Sequence, residues 1–265
     1  MTRDHRQWQW TRSLPGRLRP ALTPADQLGA AATATIPGRW VGGVSAVLAP
    51  LLLLAGMVLR VRFDFFYPGQ LRGYEQHPVL TTWSTSLFTL GVLLLIPAVI
   101  ALASSIGVHA PAWALWGGVL TVLGLGTRLF FAGVDHLAFQ LVELEGYATA
   151  HDVVDGAYPA FYVLATVNPA NLVGWLVLAV GAWRARTFGG VQCAALGVMA
   201  FLVVGILKGT SATSIPIGVA LCAVLVPYGV QLLRTGPFPG GGRIAVGVGA
   251  VVAAAAALVL LGQAG

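Results

Sequence analysis

Seven apolar runs, each close to the roughly 20 residues a helix needs to cross a bilayer, constrain this chain more than any other feature. They cover residues 40–59, 84–106, 112–134, 159–183, 190–207, 214–233 and 244–262. Backbone in lipid has to satisfy its own N–H and C=O groups, and continuous apolar runs of this length do so as helices. The expectation is an all-α, polytopic membrane bundle of seven transmembrane helices, forming one domain over residues 40–265. Composition agrees, since 57% hydrophobic and 9% charged residues with a mean hydropathy of +0.82 do not describe a surface bathed in water. The run at 190–207 is the shortest and is followed directly by Lys208, so six helices are the alternative count.

Residues 1–39 carry Arg3, Arg6, Arg12, Arg17, Arg19 and Arg39 against only Asp4 and Asp26, with four prolines and no helical periodicity. They read as a disordered basic tail, and the first apolar run reads as a signal anchor rather than a cleaved leader. Such a basic surplus can indicate nucleic acid, but here the cations flank apolar runs, which marks membrane orientation and argues for no nucleic-acid partner. With the amino terminus inside, ten cations fall on the cytoplasmic side: the tail arginines, Arg184, Arg186, Arg234 and Arg243. Four fall outside, Arg60, Arg62, Arg72 and Lys208, and Arg128 lies within the third helix. This predicts an N-in, C-out, multi-pass protein of the cell membrane, anchored by Trp40, Trp83, Trp113 and Trp183 at the span ends and in contact with membrane lipid.

Under that topology every acid beyond the tail lies on the outer side: Asp64, Glu75, Asp135, Glu143, Glu145, Asp152 and Asp155. The third helix concentrates the chemistry, because its apolar run continues into Arg128, Asp135, His136, Gln140 and Glu143 before Gly146 stops it. At 3.6 residues per turn, Arg128 and Asp135 share a face two turns apart, with His136, Gln140 and Glu143 on a neighbouring stripe. An arginine in lipid costs about 2.5–3.5 kcal/mol on insertion scales, so Arg128 should face the bundle and meet a carboxylate. Asp135 is distant for direct pairing along one helix, and Asp64 or Glu75 from the first outer loop is the alternative partner. The bland reading is one snorkelling or structural ion pair. The sharper one is a polar pocket in which Arg128 holds an anionic group and Asp135 or Glu143 moves a proton.

The first outer loop, residues 60–78, places Phe63, Phe65, Phe66 and Tyr67 beside Asp64, Glu75 and His77, with a turn at Tyr67, Pro68 and Gly69. Its aromatics either anchor at the interface or cap a cavity. Helix four carries Thr166, Asn168, Pro169 and Asn171 near its midpoint, where Pro169 should kink it and the amides need partners. Asn168 and Asn171 are either satisfied by neighbouring helices or form the cavity floor. Asn168, Pro169 and Ala170 match an aquaporin string, but that family has two copies on half-helices and this chain has one, which excludes the identity. His77, Asp135, His136, His151 and Asp152 offer metal-binding atoms without HExxH or DDxxD-like spacing, so no metal or other cofactor is expected. Cys193 and Cys222 lie in apolar runs without a CxxC pair and read as core packing.

Three function classes remain. The first is a membrane enzyme using acid–base chemistry on a lipophilic substrate, with Asp135, Glu143, Asp64 and Glu75 as catalytic acids and Arg128, His136, Gln140, Asn168 and Asn171 as substrate-binding residues. In size, helix count and sparse acids near an apolar cavity, the chain is similar to small integral membrane terpene cyclases. That resemblance implies an isomerase-type reaction on an isoprenoid, begun by protonation. The second is a small-molecule transporter or immunity-type exporter coupled through Arg128 and Asp135. The third is a non-catalytic membrane subunit bound to a protein partner, which no motif identifies.

Overall fold

The computed structural model describes residues 38–157, 163–202 and 207–235, with scattered positions from 242 onward. The basic tail and most of the run at 244–262 lie outside the described residues. Among those described, every regular element is helical: α1 (Arg39–Arg60), α2 (Tyr67–Gln76), α3 (Pro78–Gly107), α4 (Pro111–Ala157), α5 (Val163–Val167), α6 (Pro169–Arg184), α7 (Gly190–Gly197) with a 3-10 turn at Val198–Phe201, and α8 (Ser214–Arg234).

Four of these, α1, α3, α4 and α8, are long and apolar enough to cross a membrane. Their outward faces expose large apolar side chains such as Leu48, Leu51, Leu90, Leu93, Leu123 and Phe130. A belt of that kind is at ease in lipid and not in water. The inward faces pack one continuous core that includes Leu53, Met57, Leu95, Trp175, Leu178 and Leu221. Small residues let the backbones approach. Gly42 near the start of α1 lies against Ala101 near the end of α3, and Gly56 near the end of α1 lies against Ser84 and Phe88 near the start of α3. The Ser84 hydroxyl donates to the Gly56 carbonyl at 2.8 Å, so this contact is polar as well as close. Gly124 and Gly174 do the same for α4 and α6, where an added Cβ would overlap Asn171 or Thr121.

These contacts make neighbouring helices antiparallel and sort the charges. One end of the bundle carries Arg39, Arg184, Arg186 and Arg234, with Arg39 and Arg184 stacked on Trp40 and Trp113 at 5.1 and 5.2 Å. The other end carries residues 61–77, the later half of α4 and the segment from Leu207 to Thr213.

Several sequence expectations change. The turn expected at Tyr67–Gly69 is instead the first turn of α2, because Pro68 sits at the start of the helix, where its missing N–H costs nothing. The expected stop at Gly146 is a break at φ 83 and ψ 165, after which a second helical piece of α4 runs on to Ala157; at 1.5 Å per residue the first piece alone, Pro111 to Glu145, measures about 52 Å, well beyond the roughly 30 Å apolar layer. The runs at 159–183 and 190–207 are not unbroken spans. Asn168 and Pro169 divide the former into α5 and α6, since proline cannot donate the next helical bond, and in the latter the 3-10 turn gives way to an extended Leu202, residues 203–206 lying outside those described. Gly126, two residues after Gly124 on the same helix, differs from it in having nothing within 4 Å of an added Cβ.

The last difference is testable. Gly124→Ala should lose about 1–3 kcal/mol by overpacking, read as a lower melting temperature in detergent. Gly126→Ala should be neutral or slightly stabilising, because alanine is the better helix former.

Candidate functional site

The apolar bundle ends in a cluster of ionic groups. α1 finishes on Arg60, which is only 6% exposed, and its guanidinium carbon lies 4.2 Å from the centre of the Phe88 ring. Arg128 from α4 lies over the same ring at 4.6 Å. Phe88 projects from α3 one turn after Ser84, the residue that fixes α3 against α1, so helix packing delivers the ring to both cations. Counting 1.5 Å per residue from Pro111, Arg128 stands about 25 Å along α4, inside the apolar layer but near its edge, and Asp135 about 36 Å, just past it. A ring face attracts each cation, yet the two guanidiniums repel one another, and the half-buried Asp135 carboxylate attracts both. The expected distance between Arg128 and Asp135 is therefore no obstacle, because both line one cavity.

Asp135 also organises the segment after the 3-10 turn. Its Oδ1 accepts the Leu207 backbone N–H at 2.6 Å, and Leu207 sits at φ 49. A non-glycine residue in the left-handed region costs about 1–2 kcal/mol, here offset by a fully buried side chain and a charge-assisted hydrogen bond. The bend sends Lys208 and Thr210 back over the cluster. Thr210 Oγ1 accepts from Arg60 Nε at 2.8 Å, and Gly209 N–H donates to the Phe65 carbonyl at 2.8 Å. Lys208 Nζ lies 4.5 Å from the Phe66 ring centre and 5.5 Å from that of Phe65. Phe65 and Phe66 thus cover the lysine, while Phe63 is tucked against Gly73 and His77.

Arg60, Arg128, Lys208 and Asp135, with Thr85, Thr89 and Phe88, line a cavity of about 20 Å³. That is room for one or two oxygen-sized groups. Thr85, Thr89 and Ala132 also line a groove of about 500 Å³ between α3 and α4, whose other walls include Leu90, Leu93, Leu129, Gly133 and His136. The groove is mostly apolar and opens on the lipid-facing surface, so the charged cavity has a neighbour that suits hydrocarbon.

The other carboxylates stand apart. Glu143 is exposed and accepts from the Tyr74 hydroxyl at 2.8 Å, and Tyr74 stacks on Phe139 at 4.8 Å. Burial first, then the Glu143 hydrogen bond and charge, push the Tyr74 phenol above its ordinary value of 10.0, so it stays a donor. These contacts belong to a second small core that docks α2 on the extension of α4, together with Arg72 over Tyr147 and the Tyr67 hydroxyl on Asp155. Asp64 and Glu75 are exposed and line none of this cavity. Asp64 offers its backbone carbonyl to Gln70. Gln140 is half-buried and also lies off the cavity lining. Asn171 is buried against Gly124 and accepts from Trp175 Nε1 at 3.2 Å, and it and Asn168 line neither cavity nor groove. Among the described residues no three His, Cys, Asp or Glu side chains gather as a metal site, and His151 lies 3.5 Å from Asp152.

Arg60, Lys208, Thr210 and Phe88 were not legible as site residues. The two cations each abut an apolar run, which is where orienting charges normally sit, and only tertiary packing turns them inward. Compared with known protein families, curated proteins and solved structures, the chain matches none.

Proposed function

We propose that this protein is a multi-pass enzyme of the cell membrane that performs acid–base chemistry on a lipophilic substrate, with Asp135 as the proton-handling residue. The observation that carries this reading is the shared wall of Thr85, Thr89 and Ala132, which sets an apolar groove open to lipid directly beside a charged cavity at the edge of the apolar layer. A substrate dissolved in the bilayer reaches Asp135 by that route without crossing water. Arg60, Arg128 and Lys208 hold the substrate's polar end, and His136 lies along its path. Glu143 serves the cap, and Asp64 and Glu75 lie off the cavity and outside the reaction.

The charge balance bears on the reaction class. Three cations around one carboxylate destabilise a carbocation and stabilise an anion or an oxyanion, which weighs against a terpene-cyclase-like protonation and for chemistry at an oxygen-bearing head. A second reading, transport, draws on the division of α5 from α6 at Asn168–Pro169 and on the short α7, since transporters place substrate sites at interrupted helices. The division stands away from the charged cavity, so the enzyme reading is preferred.

For orientation the charge bias supports N-in, C-out with seven spans. A reporter inserted at the exposed Glu145 should then be active only as an outside-facing probe, and one at Gly190 only as a cytoplasmic probe; the reverse pattern would invert the topology. For activity, Asp135→Asn keeps a hydrogen-bond acceptor for Leu207 and removes the charge. Cells expressing it at normal level should lose the lipid conversion seen with the unaltered chain, by about 100-fold or more, in comparative lipid profiling. Identical profiles with and without Asp135 would reject the enzyme reading.

A further inference from the structure

We infer that the ligand of this site is a lipid bearing a phosphate monoester, its head among Arg60, Arg128 and Lys208 and its chain in the α3–α4 groove. The inference rests on the groove reading above and adds the chemical class of the head.

Charge comes first. With all four groups ionised, Arg60, Arg128 and Lys208 against Asp135 leave the cavity two positive charges in excess. A phosphate monoester carries about −1.5 to −2 at neutral pH, whereas a phosphodiester or a carboxylate carries one negative charge. In a poorly solvated cavity an unmatched charge is costly, so the doubly charged head is the one that balances it.

Donors come second. Arg60 donates its Nε–H to Thr210, and its terminal nitrogens make no hydrogen bond among the described residues. The Lys208 ammonium meets only the faces of Phe65 and Phe66, with no carboxylate or hydrogen-bond acceptor among the described residues. The hydroxyls of Thr85 and Thr89 likewise donate to no described residue, and both side the cavity. The Arg60 guanidinium, an ammonium and two hydroxyls match the several acceptor oxygens of a tetrahedral phosphate better than the two of a carboxylate.

Size and shape come third. A cavity of about 20 Å³ admits the inner oxygens of a small head and excludes a sugar-sized one. The groove of about 500 Å³ lies against it and is walled by Leu90, Leu93, Leu129 and Gly133, which suits a hydrocarbon chain. Gly133 has nothing within 4 Å of an added Cβ, so a larger side chain there would fill the groove without disturbing the bundle.

The test uses the full chain in detergent micelles and measures binding of dioleoyl phosphatidic acid, phosphatidylglycerol, oleate and diacylglycerol by native mass spectrometry, with inorganic phosphate as competitor. Phosphatidic acid should bind about tenfold or more tighter than the other three, the difference a charge-assisted hydrogen bond supplies. Lys208→Gln, at a half-exposed position that tolerates the change, should weaken it by about tenfold with an unchanged melting temperature. Gly133→Leu should abolish lipid binding, and millimolar inorganic phosphate should not displace the lipid. Equal affinity for phosphatidic acid and phosphatidylglycerol, or an unaffected Lys208→Gln variant, overturns the head-group assignment. If diacylglycerol binds equally well and remains sensitive to Gly133→Leu, the head-group assignment fails while the groove stands. If no lipid is held in a Gly133-sensitive way, both fail. Displacement of bound lipid by inorganic phosphate would assign the site to free phosphate and overturn the inference.

Discussion

Two guanidinium groups over one phenyl ring, at the end of an apolar bundle, require a nearby negative charge. The Phe88 ring attracts Arg60 and Arg128 individually but does nothing for their mutual repulsion. Only a carboxylate at the right height resolves it, and Asp135 reaches that height because α4 runs unbroken through the edge of the apolar layer before its glycine break at 146. The same carboxylate accepts from Leu207, bends the chain back, and lays Thr210 on Arg60 and Lys208 beside Phe65 and Phe66. One acid thus sets the charge balance and the shape of the loop that closes the cavity.

The outer cap follows from the length of α4. Its first piece, Pro111 to Glu145, spans about 52 Å, so the last turns before Gly146 and the piece that follows lie outside the apolar layer, where exposed backbone and a bare apolar stripe need cover. α2 supplies it through Tyr74 on Phe139 and Glu143, Arg72 on Tyr147 and Tyr67 on Asp155. Of the four acids that looked catalytic in the sequence, Asp135 enters the cavity, Glu143 belongs to this packing, and Asp64 and Glu75 are exposed and line none of the cavity.

Long, uniformly apolar helices were legible in the sequence because length and hydropathy decide them: α1, α3, α4 and α8 coincide with apolar runs. What escaped depends on local chemistry that those averages hide. α3 begins at Pro78, six residues before its apolar run, since Thr81 and Thr82 are helical but polar. Pro68 and Gly69 look like a turn and start a helix. Asn168 and Pro169 interrupt a run that hydropathy treats as continuous. At the site, Arg128 and Asp135 were visible as isolated ionic residues on an apolar helix, where polar groups rarely lie idle. Arg60 and Lys208 were hidden by their resemblance to orienting charges, and Phe88 by being one aromatic among many. Function has to be argued from the site itself, and the site's distinctive property is a cation-rich cavity sharing a wall with a lipid-facing groove.

Asp135 and Arg128 act as one unit in the cavity they both line. A double-mutant cycle of Asp135→Asn and Arg128→Gln, read by unfolding in detergent, measures that directly. An interaction of about 1.5–3 kcal/mol is expected, with the double variant more stable than the sum of the single losses allows. Additive losses, within about 0.5 kcal/mol, would mean that the two residues do not share a cavity and would contradict the site described.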